Sequence, residues 1–263
     1  MRAFSIMEQS ALYTSRRLNP KNDFLFKKLF ADEQGKPLLI GLLNAILRRD
    51  GRERIADVTV VENRTLTRRL LDDKEASLDV LCETDSREKV NVEMQVRRYS
   101  RMDHRSLFYM AKLFADSLDA GQSYLDLKRT IGINILDHRY LPLGKFHHTF
   151  HLYEDEDRDF MLTDILELHF LECPKFRAAA FDIHDPLHRW LRFLEWETTP
   201  EQLEELTNMD DTIRMAEERL SELGRDEETR MLYAAREKAL RDRISFIEDA
   251  RLEGIEQGIE KVA

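Results

Sequence analysis

The sequence predicts an α/β domain built on a mixed sheet between helices, and three observations carry that reading. Residues 77–82 and 90–96 form two short apolar stretches with strand-like alternation, a turn apart. An amphipathic stretch over 102–120 follows, and a continuous apolar run over 131–136 comes next. Strand, helix, strand in that order is a crossover unit, so the third strand should lie parallel to the second. Helical patterns before and after this unit supply cover for both sheet faces.

The elements follow in order. Residues 1–19 read as a loose leader. Pro20 sits near the first turn of a helix over 23–30, and Gly35-Lys36-Pro37 separates it from a strongly apolar helix over 38–47. Residues 58–61 suit a short strand. In the 102–120 helix, Leu107, Met110, Ala111, Phe114 and Leu118 share a stripe, with Gly121 as the stop. Residues 146–153 alternate as a strand, an acidic turn spans 154–159, and 164–171 forms another strand. After Pro186 comes a short amphipathic helix over 187–196 with two tryptophans. From Pro200 about three helical segments follow, punctuated by Gly224, Gly254 and Gly258. This divides the chain into a leader at 1–19, a core at 20–186 and a helical C-terminal region at 187–263.

The first two strands each carry an acid. Val90, Val92, Met94 and Val96 share one face of the second strand, and Asn91, Glu93 and Gln95 line the other. In the first strand, Leu78, Val80 and Cys82 share a face, which leaves Asp79 beside Leu81. A buried acid is costly unless it is paired or holds a metal. A four-residue turn over 85–88 would put the acids on opposite faces. A three-residue turn, Asp85-Ser86-Arg87, pairs Asp79 with Glu93 on one face, with α-carbons roughly 4.5–5.5 Å apart. The expectation is the odd turn or a bulge. Two carboxylates so placed are the minimum set for a divalent ion.

Composition bounds the partners. The net charge of -10 argues against a general salt-driven nucleic-acid binder, though not against a nuclease with a local basic surface. Lys27-Lys28, Arg68-Arg69, Arg97-Arg98, Arg101 and Arg105 cluster in the N-terminal half. Cys82 and Cys173 show no metal spacing, and Cys82 lies on an apolar face, so a reduced, cytoplasmic setting is the default expectation. No apolar run reaches membrane-spanning length, so no membrane partner is expected. His147 and His151 share a strand face while His148 points away, which argues against a zinc site; His169 and His184 show no constellation.

Taken together, Asn22–Phe30, 42–47, 72–79, 91–95, 105–109, 121–124 and 166–176 resemble, in order and spacing, the Rpn-type recombination-promoting nuclease/transposase family of the PD-(D/E)XK nuclease superfamily. The resemblance implies a restriction-endonuclease-like core that hydrolyses DNA phosphodiesters with Mg²⁺ or Mn²⁺, in recombination or DNA mobility. It assigns metal binding to Asp79 and Glu93. Where the superfamily usually has lysine, this chain has Gln95, which can orient water but supplies no charge. Lys74 stands near enough in sequence to replace that charge. Asp23 is the candidate for a further acid from the first helix. Arg105, Tyr109, Arg97 and Arg98 are the candidates for touching DNA. A homodimer would let two sites cut both strands. The competing expectation is a nuclease-fold protein that mainly binds a partner through its C-terminal helices; RNA as substrate is not separable from DNA at this level.

Overall fold

The computed structural model describes residues 17–61 and 79–260, and its centre is a six-stranded mixed sheet. The strands are β1 (Val58–Val60), β2 (Val80–Thr84), β3 (Lys89–Gln95), β4 (Thr130–Leu136), β5 (His147–Tyr153) and β6 (Met161–Glu172), in spatial order β1-β2-β3-β4-β6-β5. The helices are α1 (Asp23–Phe30), α2 (Lys36–Leu47), α3 (Met102–Ala115), α4 (Cys173–Ala178), α5 (Pro186–Leu194), α6 (Pro200–Met209), α7 (Asp211–Arg225) and α8 (Glu227–Glu260). β3, β4 and β6 run parallel, with β3, α3 and β4 forming the expected crossover unit. β1, β2 and β5 pair antiparallel with their neighbours.

The two faces of the sheet are buried unequally. Val80, Cys82, Val90, Val92, Met94, Ile131, Ile133 and Ile135 turn into one large cluster with α1, α2, α5, α6 and α7. Helices from both sides of residue 187 therefore share a single core, with Trp190 and Phe193 packed in the same cluster as Phe26 and Phe30. The opposite face is thinner and is covered by α3. There Leu81 meets Tyr109 and Leu113, while Met102 and Met110 meet Leu136, Leu168 and Phe170.

Several elements differ from the sequence expectation for physical reasons. Helix α3 ends at Ala115, before Gly121, and Ser117 closes it by donating its hydroxyl to the Phe114 carbonyl at 2.7 Å. Its buried face carries Ser106, Tyr109 and Leu113, whereas Leu107 is half exposed. The sheet face it covers bears polar Asn91, Glu93 and Asn134, so a purely apolar stripe would leave those groups unpaired. Helix α1 is capped by Asn22, whose side chain accepts from the Phe24 and Leu25 amides, rather than opened by Pro20. Toward the C-terminus, the helices break at Asp210 and Asp226, each of which caps the next helix, while Gly224 and Gly254 lie inside α7 and α8.

The start of the described chain is tied down by charge. Arg17 is buried and donates to the carbonyls of Phe193 and Glu195, and Lys21 is 1% exposed with its ammonium 2.8 Å from both Asp137 and Glu195. Arg177 completes the network from α4 at 3.0–3.1 Å. Removing one partner of a buried ion pair strands the other. Lys21→Ala should therefore lower stability by about 3–5 kcal/mol in urea unfolding; a loss below about 1 kcal/mol, the range of surface pairs, would show that the network is dispensable.

Candidate active site

The turn between β2 and β3 sets the geometry of the acids. Val80 pairs with Val92 and Cys82 with Val90, so the same register places Asp79 opposite Glu93. Three residues make the turn: the Thr84 amide donates to the Glu88 carbonyl, the Arg87 amide donates to the Thr84 carbonyl, and Arg87 takes a left-handed φ of 62°. Glu88 is clamped beneath by the Arg49 guanidinium, with one contact at 2.7 Å. The odd turn anticipated from side-chain parity is the one observed.

Asp79 and Glu93 are both 7% exposed and stand at the wall of a cavity of about 420 Å³. The cavity lies at the carboxyl end of β3, the usual end of a parallel strand for ligands in such sheets. The Met94 amide donates to Asp79 Oδ2 at 2.8 Å, and the Asn91 side-chain amide donates to Glu93 Oε1 at 3.1 Å. Burial pushes Asp79 up to about 6, with Lys27 and the Met94 amide opposing. Burial and then the neighbouring Asp79 push Glu93 up to about 8. Two carboxylates that resist ionising together are a set that could hold a divalent cation. Their oxygen-only character suits Mg²⁺ or Mn²⁺.

The other expected residues divide. Gln95, Asp23, Arg97 and Arg105 line the cavity. Arg105 lies between the rings of Tyr99 and Tyr109, 5.2 and 4.9 Å from their centroids, which fixes its guanidinium beside Glu93. Tyr109 is buried and serves as part of that clamp. Arg98 is exposed, faces His138 and does not line the cavity. Lys74 lies outside the described residues.

Three cations at the site are not singled out by the sequence. Lys27 Nζ lies 3.4 Å from Asp79 Oδ1, one helical turn after Asp23 on the flank of α1 that its buried residues leave free. The i, i+4 spacing of Asp23 and Lys27 is a readable signal for this. Arg236 and Arg243, two turns apart on α8, form the far wall with Leu240 between them. Nothing local in the sequence says that α8 returns to this place. It is held by Glu237, which accepts from the Asn22 side chain at 2.7 Å. The lining thus carries Lys27, Arg97, Arg105, Arg236 and Arg243 against Asp23, Asp79, Glu93 and Glu237, a local balance far from the overall charge of -10.

A second acidic group, Asp137, Cys173 and Glu195, brings its ligand atoms within 4.8 Å of one another. The Lys21 ammonium already bridges its two carboxylates, and burial pushes the Cys173 thiol up to about 12. It is a neutralised ion network, so the Asp79–Glu93 pair is the better cation site. The histidines do form a constellation across β5 and β6. His147 Nε2 lies 2.9 Å from His169 Nδ1, and His169 Nε2 lies 2.7 Å from Glu167. This chain of contacts lies on the sheet face opposite Asp79 and Glu93.

Against known proteins, the family described as PD-(D/E)XK nuclease family transposase matches residues 20–250. The chain belongs to that family. The mixed sheet flanked by helices is accordingly its restriction-endonuclease-like α/β core. No curated protein and no solved structure matches the chain. Among the described residues, no helix is long and apolar enough to cross a membrane.

The raised carboxyls of this nuclease-family site carry a stability signature. A carboxyl whose folded pKa exceeds its unfolded value contributes most at low pH, and the contribution disappears as pH rises through the folded value. For Glu93 the window runs from its ordinary value of 4.5 to about 8. Glu93→Gln, melted in chelator, should therefore gain on the wild type steadily between those limits. A difference in melting temperature that stays constant across them would show that Glu93 ionises freely.

Proposed function

We propose that the protein is a Mg²⁺- or Mn²⁺-dependent endodeoxyribonuclease, with Asp79 and Glu93 holding the metal. The observation that carries this reading is the pairing of the two buried acids at the wall of a cation-rich cavity in a chain of net charge -10. When bound by Asp79 and Glu93, a divalent ion would supply Lewis acidity for water activation and offset charge on the phosphate. Lys27 takes the place that Gln95 cannot fill, setting a positive charge beside Asp79 where phosphate oxygens gain charge. Gln95 orients the attacking water by hydrogen bonding. Asp23, from the first turn of α1, is the candidate for a further metal ligand. Arg105 is held rigid by its two tyrosines and meets a phosphate oxygen without first losing side-chain freedom. Arg97, Arg236 and Arg243 grip the strand on either side. Water adds to phosphorus, the bond to the leaving oxygen breaks, and that oxygen takes the proton.

The family's description as a nuclease family transposase supports a role in recombination or DNA mobility. Cutting both strands of a duplex requires a second copy of the chain or a second binding event. A second reading, partner binding through the C-terminal helices, draws on the outer half of α8, where Ile244, Phe246 and Ile247 are exposed.

Supercoiled plasmid incubated with Mg²⁺ or Mn²⁺ should be nicked, and chelator, Asp79→Ala or Glu93→Ala should abolish nicking. Lys27→Ala should slow it by roughly 10²-fold. Cleavage that survives both acid substitutions, or none under any condition, would sink the nuclease reading and leave the partner-binding one. In a DNA-binding titration across salt, Arg236→Ala and Arg243→Ala should each reduce the slope against log salt by about one unit. Unchanged slopes would remove α8 from the interface.

A further inference from the structure

We propose that Asn91 is a positioning residue that sets the orientation of the Glu93 carboxylate from a buried polar cluster behind the cavity; the inference rests on reading Glu93 as a metal ligand. Asn91 and Glu93 alternate on β3, so both project to the α3 side of the sheet, where each is at least nine-tenths buried. The Asn91 amide donates to Glu93 Oε1 at 3.1 Å, which fixes the rotation of that carboxyl group. Its other half, Oδ1, is buried with no protein hydrogen-bond partner among the described residues. An amide buried on a covered strand face is less favourable for folding than leucine of similar size, so its presence beside Glu93 points to a role outside stability.

The surroundings are arranged to admit it. Across the parallel β3–β4 ladder, Asn91 faces Gly132, where an added Cβ would meet Leu168 Cδ1 at 3.0 Å. Next along, Glu93 faces Asn134. Asn134 is held on both sides, accepting from the Ser106 hydroxyl at 2.8 Å and donating to the His169 carbonyl at 3.2 Å. Asn91, Glu93, Ser106 and Asn134 line a small cavity of about 10 Å³, which matches a single water. A water there would give Asn91 Oδ1 its donor and lock the amide with its NH₂ toward Glu93. Supports of this type commonly change metal affinity 10–100-fold.

The test is Mn²⁺ affinity by calorimetry, with melting temperatures, for wild type, Asn91→Leu and Asn134→Leu. Asn134 is also buried, but its described hydrogen bonds go to Ser106 and the His169 carbonyl rather than to Glu93, so it reports the general effect of removing a buried amide. Asn91→Leu should weaken Mn²⁺ binding by about tenfold or more, while Asn134→Leu stays within about twofold of wild type. If Asn91→Leu does not fold, Asn91→Ser, too short to reach Glu93, carries the same expectation. Wild-type affinity in the Asn91 variant, or an equal loss in both variants, would overturn the proposal while leaving the metal site standing. Failure of the wild type to bind Mn²⁺, or binding indifferent to Asp79→Ala, would overturn the metal reading and this inference with it.

Discussion

The constraint on which the rest of this structure depends is the placement of two carboxyl groups face to face where water is scarce. Both are disfavoured by burial, and a neighbouring acid adds to each, Asp79 to Glu93 and Asp23 to Asp79. The fold keeps them together through strand register, which a three-residue turn imposes and the Arg49–Glu88 pair anchors from below. Register is unforgiving, because a slip of one residue sends every side chain to the opposite face. The acids cannot drift apart without unpacking Val80, Cys82, Val90 and Val92 from the main core.

The unequal burial of the two sheet faces is a consequence. The face without the acids carries nearly all the apolar packing, including helices from the far end of the chain. The face with the acids has to house Asn91, Glu93, Asn134 and Ser106, and α3 covers it with a narrow set of apolar contacts. Apolar packing is concentrated on one side of the sheet and the polar groups of the candidate site on the other, so a dense core backs a site that could not be densely packed itself.

How much of this can be read from the sequence depends on how local the controlling interaction is. The shared face of Asp79 and Glu93 is legible because alternation and turn length are properties of some fifteen neighbouring residues. The parallel β3–β4 pair is legible for a similar reason, since a strand-helix-strand order leaves few topologies. The buried stripe of α3 is not: its apolar residues point to one face, whereas the sheet presents polar groups that call for Ser106 and Tyr109. The glycines of the tail look like stops, yet aspartate caps mark the helix boundaries. Lys27 is half visible through its spacing from Asp23. Arg236 and Arg243 are out of reach, because contacts between distant segments bring them to the cavity, among them Asn22–Glu237 and the Asn19 amide on the Tyr233 hydroxyl. The contact of His169 with His147 is hidden for the same reason, being set by pairing between β5 and β6.

That the far wall belongs to α8 also orders events in the life of the molecule. On a ribosome, the strands bearing Asp79 and Glu93 emerge long before the helix bearing Arg236 and Arg243. A nascent chain made as far as β4 therefore holds its acids in a cleft with only one basic side, and the second arrives only when α8 is made. The basic far wall is thus added after the segments that build the main core.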